Sequence, residues 1–389
     1  MNPNSRPRGG LQLWPVGPVL ALTFITATTV AAAVFFAGWD LMDVQELKPE
    51  QQLTSSTLFD LVKLAFGVVA GAGALVALVV AYRRQRVDED GALREATRLH
   101  TERFTSAVSQ LGDTSAAVRL GGVHALAGLA DDAPTRELRQ TCIDVLCAYL
   151  RLPYTAKADI PSGDTEEWHA YLSLRQVRHT VIRLIRDHLR HETDHSRSWQ
   201  GHDFDFTDVV FDGGDLDGAV FSSGTLQFSN AVFSTGAIDF DNTTFGGATV
   251  YFDNTTFDGA NVTFRGATFS DGVVDFEGAA FNRDHVSFGA ARFSGGKVSF
   301  VAADFNGGTV NFIGAKFCGS AVDFQGASFA GGTVDFGRAT FEGGTVAFDN
   351  AAFTGGILDL SHARGSIPSG LPLSSELAPA GVRLPPAWD

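Results

Sequence analysis

From Phe221 to Leu360 a large apolar residue recurs at alternating intervals of five and seven. The unit reads V-x-F-x-x-A-x-F-x-G-G-x. Its first large position is held by Phe228, Phe240, Phe252, Phe264, Phe276, Phe288, Phe300, Phe312, Phe324, Phe336, Phe348 and finally Leu360. Its second is held by Phe221, Phe233, Phe245, Phe257, Phe269, Phe281, Phe293, Phe305, Phe317, Phe329, Phe341 and Phe353. Of the 32 phenylalanines, 26 lie between Phe204 and Phe353, so one large apolar shape is demanded over and over in this half. Two residues before the first position stands Leu226, Ile238, Leu358 or a valine. Two before the second stands a small residue such as Ala219, Thr243, Ala267 or Ala339.

An i−2/i apolar pair with an outward residue between is strand alternation, but only three residues long. Such a strand buries nothing alone. If the chain turns after each strand and stacks coil on coil at about 4.8 Å, each inward Phe lands on a Phe of the next coil, and the core becomes columns of rings. The Gly-Gly pairs at 246–247, 295–296, 307–308, 331–332, 343–344 and 355–356 mark the longer corner, where positive φ is expected to suit glycine.

The stretch FDFTDVVFDGGDLDGAVF keeps a strict spacing of five through Phe206, Phe211, Leu216 and Phe221. With the repeat that follows, it resembles the pentapeptide-repeat proteins over residues 204–360, with two residues inserted at alternate corners. The resemblance implies an all-β, right-handed, four-faced β-helix, here of about 24 residues per coil. A two-faced solenoid of about twelve residues per coil is the alternative. The 27 large-residue positions from Phe206 to Leu360 make nearly seven four-faced coils, a rod of about 30 Å. Its two ends need covering. The helical region is expected to cap the first coil, and the Pro-rich tail (361–389) the last. The stretches ERFTSAVSQLG and AVRLGGVHALAGLA also resemble the helical region of membrane-anchored bacterial members of this family.

Two uncharged apolar runs, residues 18–38 and 64–82, are each long enough to cross a hydrocarbon core of about 30 Å as helices. Arg6 and Arg8 precede the first, Arg83, Arg84 and Arg86 follow the second, and the loop between (39–63) carries Asp40, Asp43, Glu46 and Glu50. The charge bias predicts a multi-pass protein of the cell membrane with both termini cytoplasmic: a cytoplasmic N-terminal segment (1–17), an extracytoplasmic loop, and everything after Arg83 inside. A cleaved signal is disfavoured because a second span follows at once. Gly67, Gly71 and Gly73 give the second span a small-residue face, compatible with a homo-oligomer.

Between the membrane and the repeat, residues 83–200 read as a small cytoplasmic all-α domain of about four short amphipathic helices, broken at Gly112-Asp113, Asp131-Asp132 and Pro153. Cys142 and Cys147 suit small buried positions rather than a redox or metal pair. His188, His191 and His195 are spaced for one helical face; a solvated face is preferred to a metal site. The arginines of RQVRHTVIRLIRDHLRHE are expected to form ordinary surface pairs, with lipid contact the lesser reading.

The repeat half carries twenty acidic residues against six basic ones over 201–360. No nucleotide-binding loop, nucleophile elbow or isolated carboxylate pair is present, and GGTVDF lacks the third glycine of a calcium-binding nonapeptide. Thr244, Thr256, Thr268 and Thr340 share their repeat position with Arg292, Asp304 and Lys316, so the threonine row is broken. No catalytic residue, cofactor or metal is assigned, and the 22 phenylalanines from Phe228 to Phe353 are assigned to the repeat core. The function expected is a membrane-tethered, non-enzymatic scaffold or interaction module for an unidentified protein partner, with no direct nucleic-acid binding. The alternative rests on the resemblance, since some pentapeptide-repeat proteins mimic DNA and bind gyrase, and the acidity is compatible with that.

Overall fold

The computed structural model describes residues 55–155, 164–372 and 381–388, with scattered helical positions between 21 and 40. The chain divides into two compact units, 1–96 and 97–389. In the first unit, most of the expected span at 18–38 and of the loop at 39–63 lies outside the described residues. The second expected span falls within helix α1 (Ser55–Leu111), the one helix among the described residues long and apolar enough to cross a membrane. Leu64, Phe66, Val69 and Leu78 on it are exposed. Past Tyr82 the sequence to Leu111 holds no proline and the single Gly91, so nothing stops the helix where its apolar run ends.

The second unit opens with the end of α1 and three further helices: α2 (Ala116–Asp131), α3 (Arg136–Leu150) and α4 (Thr165–Leu189). Two have side-chain N-caps. Thr135 accepts from the amide of Leu138 at 3.3 Å and Asp164 from that of Glu167 at 2.9 Å, each satisfying one of the orphan donors of a first turn. The apolar stripes meet in a core holding Val123, Leu126, Ile143, Leu146, Val177, Val181 and Ile185, with Cys142 and Cys147 among them. That core is continuous with the interior of the repeat region.

Residues 204–365 wind into four parallel sheets of seven strands each, about seven coils, and one sheet gains an eighth strand from Val382–Arg383. The faces are called I to IV in the order the chain meets them, beginning at Phe204, Val210, Gly214 and Val220. Strands of one face pair at a separation of 24 residues, as in Phe257 with Phe281 and Val262 with Val286. The twelve-residue, two-faced alternative is thereby excluded: successive units lie on opposite faces, and each Phe meets the Phe two units on. Four ring columns fill the interior. On face I, Phe228, Phe252, Phe276, Phe300, Phe324 and Phe348 stack with centroids 4.6–4.8 Å apart and planes within 4°. The face III column meets it edge to face, as Phe264 does Phe252 at 6.0 Å and 84°. Both arrangements are favoured by the ring quadrupole.

The shorter corner has a rule of its own. The first-position Phe carbonyl accepts from the amide three residues on, as Phe252 does from Thr255 at 3.1 Å. The residue between, Asn254, has φ of 53°. This is a type II turn, which needs positive φ at its third residue. Asn, Asp or Gly fills that position in most coils, but Ala290, Ala302 and Arg338 also adopt it. The longer corner differs from expectation. In the 246–247 and 355–356 pairs neither glycine has positive φ; a Cβ on Gly247 would come within 2.6 Å of the Ser222 carbonyl oxygen of the preceding coil. Close backbone approach, rather than left-handed conformation alone, selects glycine there.

The far end is closed by the chain's last described residues. Val382–Arg383 adds a strand to face III beside Leu358–Asp359, and the Trp388 ring lies 5.9 Å from Phe341 at the end of the face IV column. Its indole donates to the Gly365 carbonyl at 3.2 Å.

Candidate functional site

The phenylalanines assigned to the repeat core are all buried except Phe353 in the last coil, which is half-buried. They shape the rod and leave its outer faces to meet other molecules.

At the near end, the first coil is two residues short. Phe211 pairs with Phe233, a separation of 22 rather than 24 residues. The missing residues belong to the corner at Asp212-Gly213, and helix α4 occupies the room they vacate: a Cβ on Gly214 would stand 3.3 Å from Ile182 Cδ1. Asp212, 2% exposed, accepts from Tyr154 Oη at 2.6 Å, Tyr171 Oη at 2.7 Å and Arg175 Nε at 3.1 Å, and contacts His179 Nε2 at 3.2 Å. Burial alone would push this carboxyl up; the bonds from His179, Tyr154 and Tyr171 outweigh it and hold it well below the usual carboxylate range. Burial and the same carboxylate push the Tyr154 and Tyr171 phenols up, Tyr171 to about 12.

The arginine-rich face of α4 is therefore not an ordinary solvated surface. Arg186 pairs with Asp215, Arg190 with Asp217 at 2.6 Å, and Arg178, buried, donates to the carbonyls of Leu150 and Val210 at 2.6 Å each. This face docks on the acidic first coil, and the capping role expected of the helical domain is carried by these contacts. His188 likewise departs from the solvated-face reading. It is buried, stacks on Trp199 at 4.1 Å and reaches Asp131 at 3.3 Å. His191 and His195 stack on each other at 4.2 Å. Among the described residues no group of three or more His, Cys, Asp or Glu side chains is placed to hold a metal ion.

Along the rod, many carboxylates are turned inward to the backbone. Asp205, Asp215, Asp239, Asp275, Asp323, Asp335 and Asp359 stand immediately before a first-position large residue, and each accepts from the amide two residues on, at 2.7–3.1 Å. These Asx turns set the direction of the shorter corner. Much of the acidity thus serves the coil itself.

The outward positions form rows in register. On face IV the row reads Val220, Thr244, Thr268, Arg292, Lys316, Thr340, Arg364. Where face III turns toward face IV, the residues after the first-position ring read Asp217, Asp241, Arg265, Gly289, Ile313, Gly337, Ser361. A groove of about 750 Å³ lies along this edge, lined by residues of four successive coils from Asp241 to Ile313. A threonine ladder is excluded by this geometry too, because Thr244 and Thr256 lie on opposite faces.

A family model described as pentapeptide repeats (nine copies) matches residues 235–280. No curated protein and no solved structure matches the chain. The matched segment lies within the coils whose four-sided register and Phe columns are described above, and this β-solenoid is a pentapeptide-repeat solenoid.

Proposed function

We propose that this chain is a membrane-anchored, non-enzymatic scaffold whose β-solenoid presents fixed rows of side chains to a protein partner. The observation that carries the reading is the parallel register itself: outward residues of one face recur at every rung of a stacked-ring core, giving a preorganised surface that loses little entropy on binding. Anchoring rests on the exposed apolar part of α1 and on the first apolar run of the sequence, at 18–38; the flanking charges favour two spans with both termini in the cytoplasm.

The excess of acidic residues along 201–360 favours a second reading, mimicry of DNA toward a DNA-binding enzyme such as gyrase. The Asx-turn role of seven of those aspartates supplies a local reason for the acidity, and a membrane anchor restricts access to a chromosome-bound enzyme, so the scaffold stands first.

The test is crosslinking in intact membranes, comparing the full chain with one truncated after Arg190. Partners lost on truncation support the scaffold; an unchanged partner set removes the solenoid from the interaction. Salt-dependent displacement of gyrase from DNA by the full chain in a supercoiling assay would instead establish the mimic.

A further inference from the structure

We infer that the edge between faces III and IV in the middle coils is a docking site for a short acidic peptide segment of the partner. The inference rests on the scaffold reading and assigns its contact surface.

Three observations meet at this edge. First, Arg265, Arg292 and Lys316 make no ion pair among the described residues, as Lys297 and Arg338 make none, while Arg283 pairs with Asp258. What marks the edge is that three of the six bases of a segment with twenty acids stand together on three successive coils. Second, Arg292 and Lys316 face outward in register on adjacent strands, one rung of about 4.8 Å apart, where like charges destabilise the sheet. Among the described residues no ion pair offsets that repulsion; a bound carboxylate does. Third, the groove of about 750 Å³ lies over face III up to this edge, lined by Arg265, Gly289 and Ile313 though not by Arg292 or Lys316 themselves. Gly289 puts no side chain between Arg265 and Ile313. A Cβ there would stand 3.3 Å from Ser287 Oγ, 3.7 Å from Asn311 Oδ1 and 3.8 Å from Arg265 Cγ. Ile313, 43% exposed, supplies an apolar contact on the far side of that gap.

The dimensions select the class of ligand. From the rung of Arg265 to that of Lys316 is about 10 Å, the length of roughly three extended residues. Beyond it the charge is mixed: Asp241 lines the groove one coil before Arg265, and one coil after Lys316 the exposed Arg338 stands between Asp335 and Glu342. A nucleic-acid backbone or an anionic membrane would meet those acids as well as the cations and has no side chain to place against Ile313. A short acidic peptide with one apolar side chain matches three cations, a gap and an isoleucine.

The test measures fluorescence anisotropy of a fluorescein-labelled amidated peptide, EDLEDE, against the full chain in detergent. Saturable binding that weakens with salt, and falls about tenfold or more in Arg292→Glu/Lys316→Glu and in the groove-filling Gly289→Leu, is the expected result. Thr256→Glu/Ala280→Glu/Asn306→Glu/Ser328→Glu lowers the charge on or beside face II by four, as the edge reversal does, and is expected to leave binding within about twofold, and circular dichroism melting shows that each variant is folded. Equal binding by the edge variants, loss equally by the face II variant, or preference for duplex DNA or phosphatidylserine vesicles over the peptide overturns the site. Crosslinked partners that depend on the solenoid but survive the Arg292/Lys316 reversal also overturn it while leaving the scaffold reading intact. Absence of any solenoid-dependent partner overturns both.

Discussion

Tyr171 donates its hydroxyl to the Asp212 carboxylate at 2.7 Å, tying helix α4 to the shortened corner of the first coil. Every other coil has two more residues at this corner, and the pairing exists because the first does not. Asp212→Asn keeps the shape but removes the charge that Arg175 and two phenols address, and is expected to cost on the order of 2 kcal/mol, read as a lower urea midpoint with intact helical circular dichroism. Because the folded-state carboxyl is held below its ordinary value of 3.8, its contribution is fully present above about pH 4 and fades as pH falls further. A wild-type protein no more acid-sensitive than Asp212→Asn would contradict this.

How much of this was legible can be judged at particular residues. Strand, corner and ring column followed from the spacing of Phe228 to Phe353, because a period longer than any local element reports a stacked architecture directly. Four faces followed from the resemblance rather than from the spacing. That helices cap the first coil was expected, but the contacts of α4 that do so were not: Arg175, Arg186 and Arg190 are spaced like any solvated helix face, and their partners Asp212, Asp215 and Asp217 lie in another element. Only the strict spacing of five at Phe206 to Phe221 hinted that the first coil differed. Of the edge groove, Arg292 and Lys316 were visible as breaks in a threonine row, but the gap at Gly289 needs the coil geometry.

The ring columns imply a gradient in sensitivity to truncation. Phe276 stacks on Phe252 at 4.6 Å and on Phe300 at 4.7 Å, with neighbours fixed on both sides. Phe276→Ala leaves a cavity that stacked coils cannot collapse, with an expected loss of about 3–5 kcal/mol. Phe353 is half-buried and stacks on one side only, on Phe329 at 5.1 Å. Its alanine variant is expected to lose less than half as much. Denaturant titration of both variants decides, and equal losses would mean that the end coil is as tightly held as the middle.

At the shorter corner, Ala302 holds φ of 53°, a conformation costing an L-residue about 1–2 kcal/mol. Ala302→Gly relieves that strain against a loss of unfolded-state restriction of about 0.5–1 kcal/mol, so a small net stabilisation is expected. Asn254, at the same turn position with φ of 53°, gives the converse: Asn254→Ala should lower stability by about 1 kcal/mol. The pair of melting curves tests the turn rule, and a destabilised Ala302→Gly would refute it.

Asp284 replaces the small residue usual at the longer corner between faces II and III, and its carboxyl is buried. One oxygen accepts from the Gly259 amide and the other has no hydrogen-bond partner. Burial, with the nearby Asp258 charge adding, pushes the carboxyl up to about 7 against the pull of Arg283. A raised acid favours its protonated form in the fold. Its contribution is therefore fully present below about pH 4 and lost as pH rises to about 7, at up to about 1.4 kcal/mol per pH unit. Asp284→Asn, which cannot ionise, is expected to be more stable than wild type at pH 8 and nearly equal to it at pH 4. Chemical denaturation across that range gives two curves whose separation should grow with pH. Parallel curves would mean that the carboxylate finds water or a cation at the corner and stays ionised, removing this source of pH dependence from the solenoid.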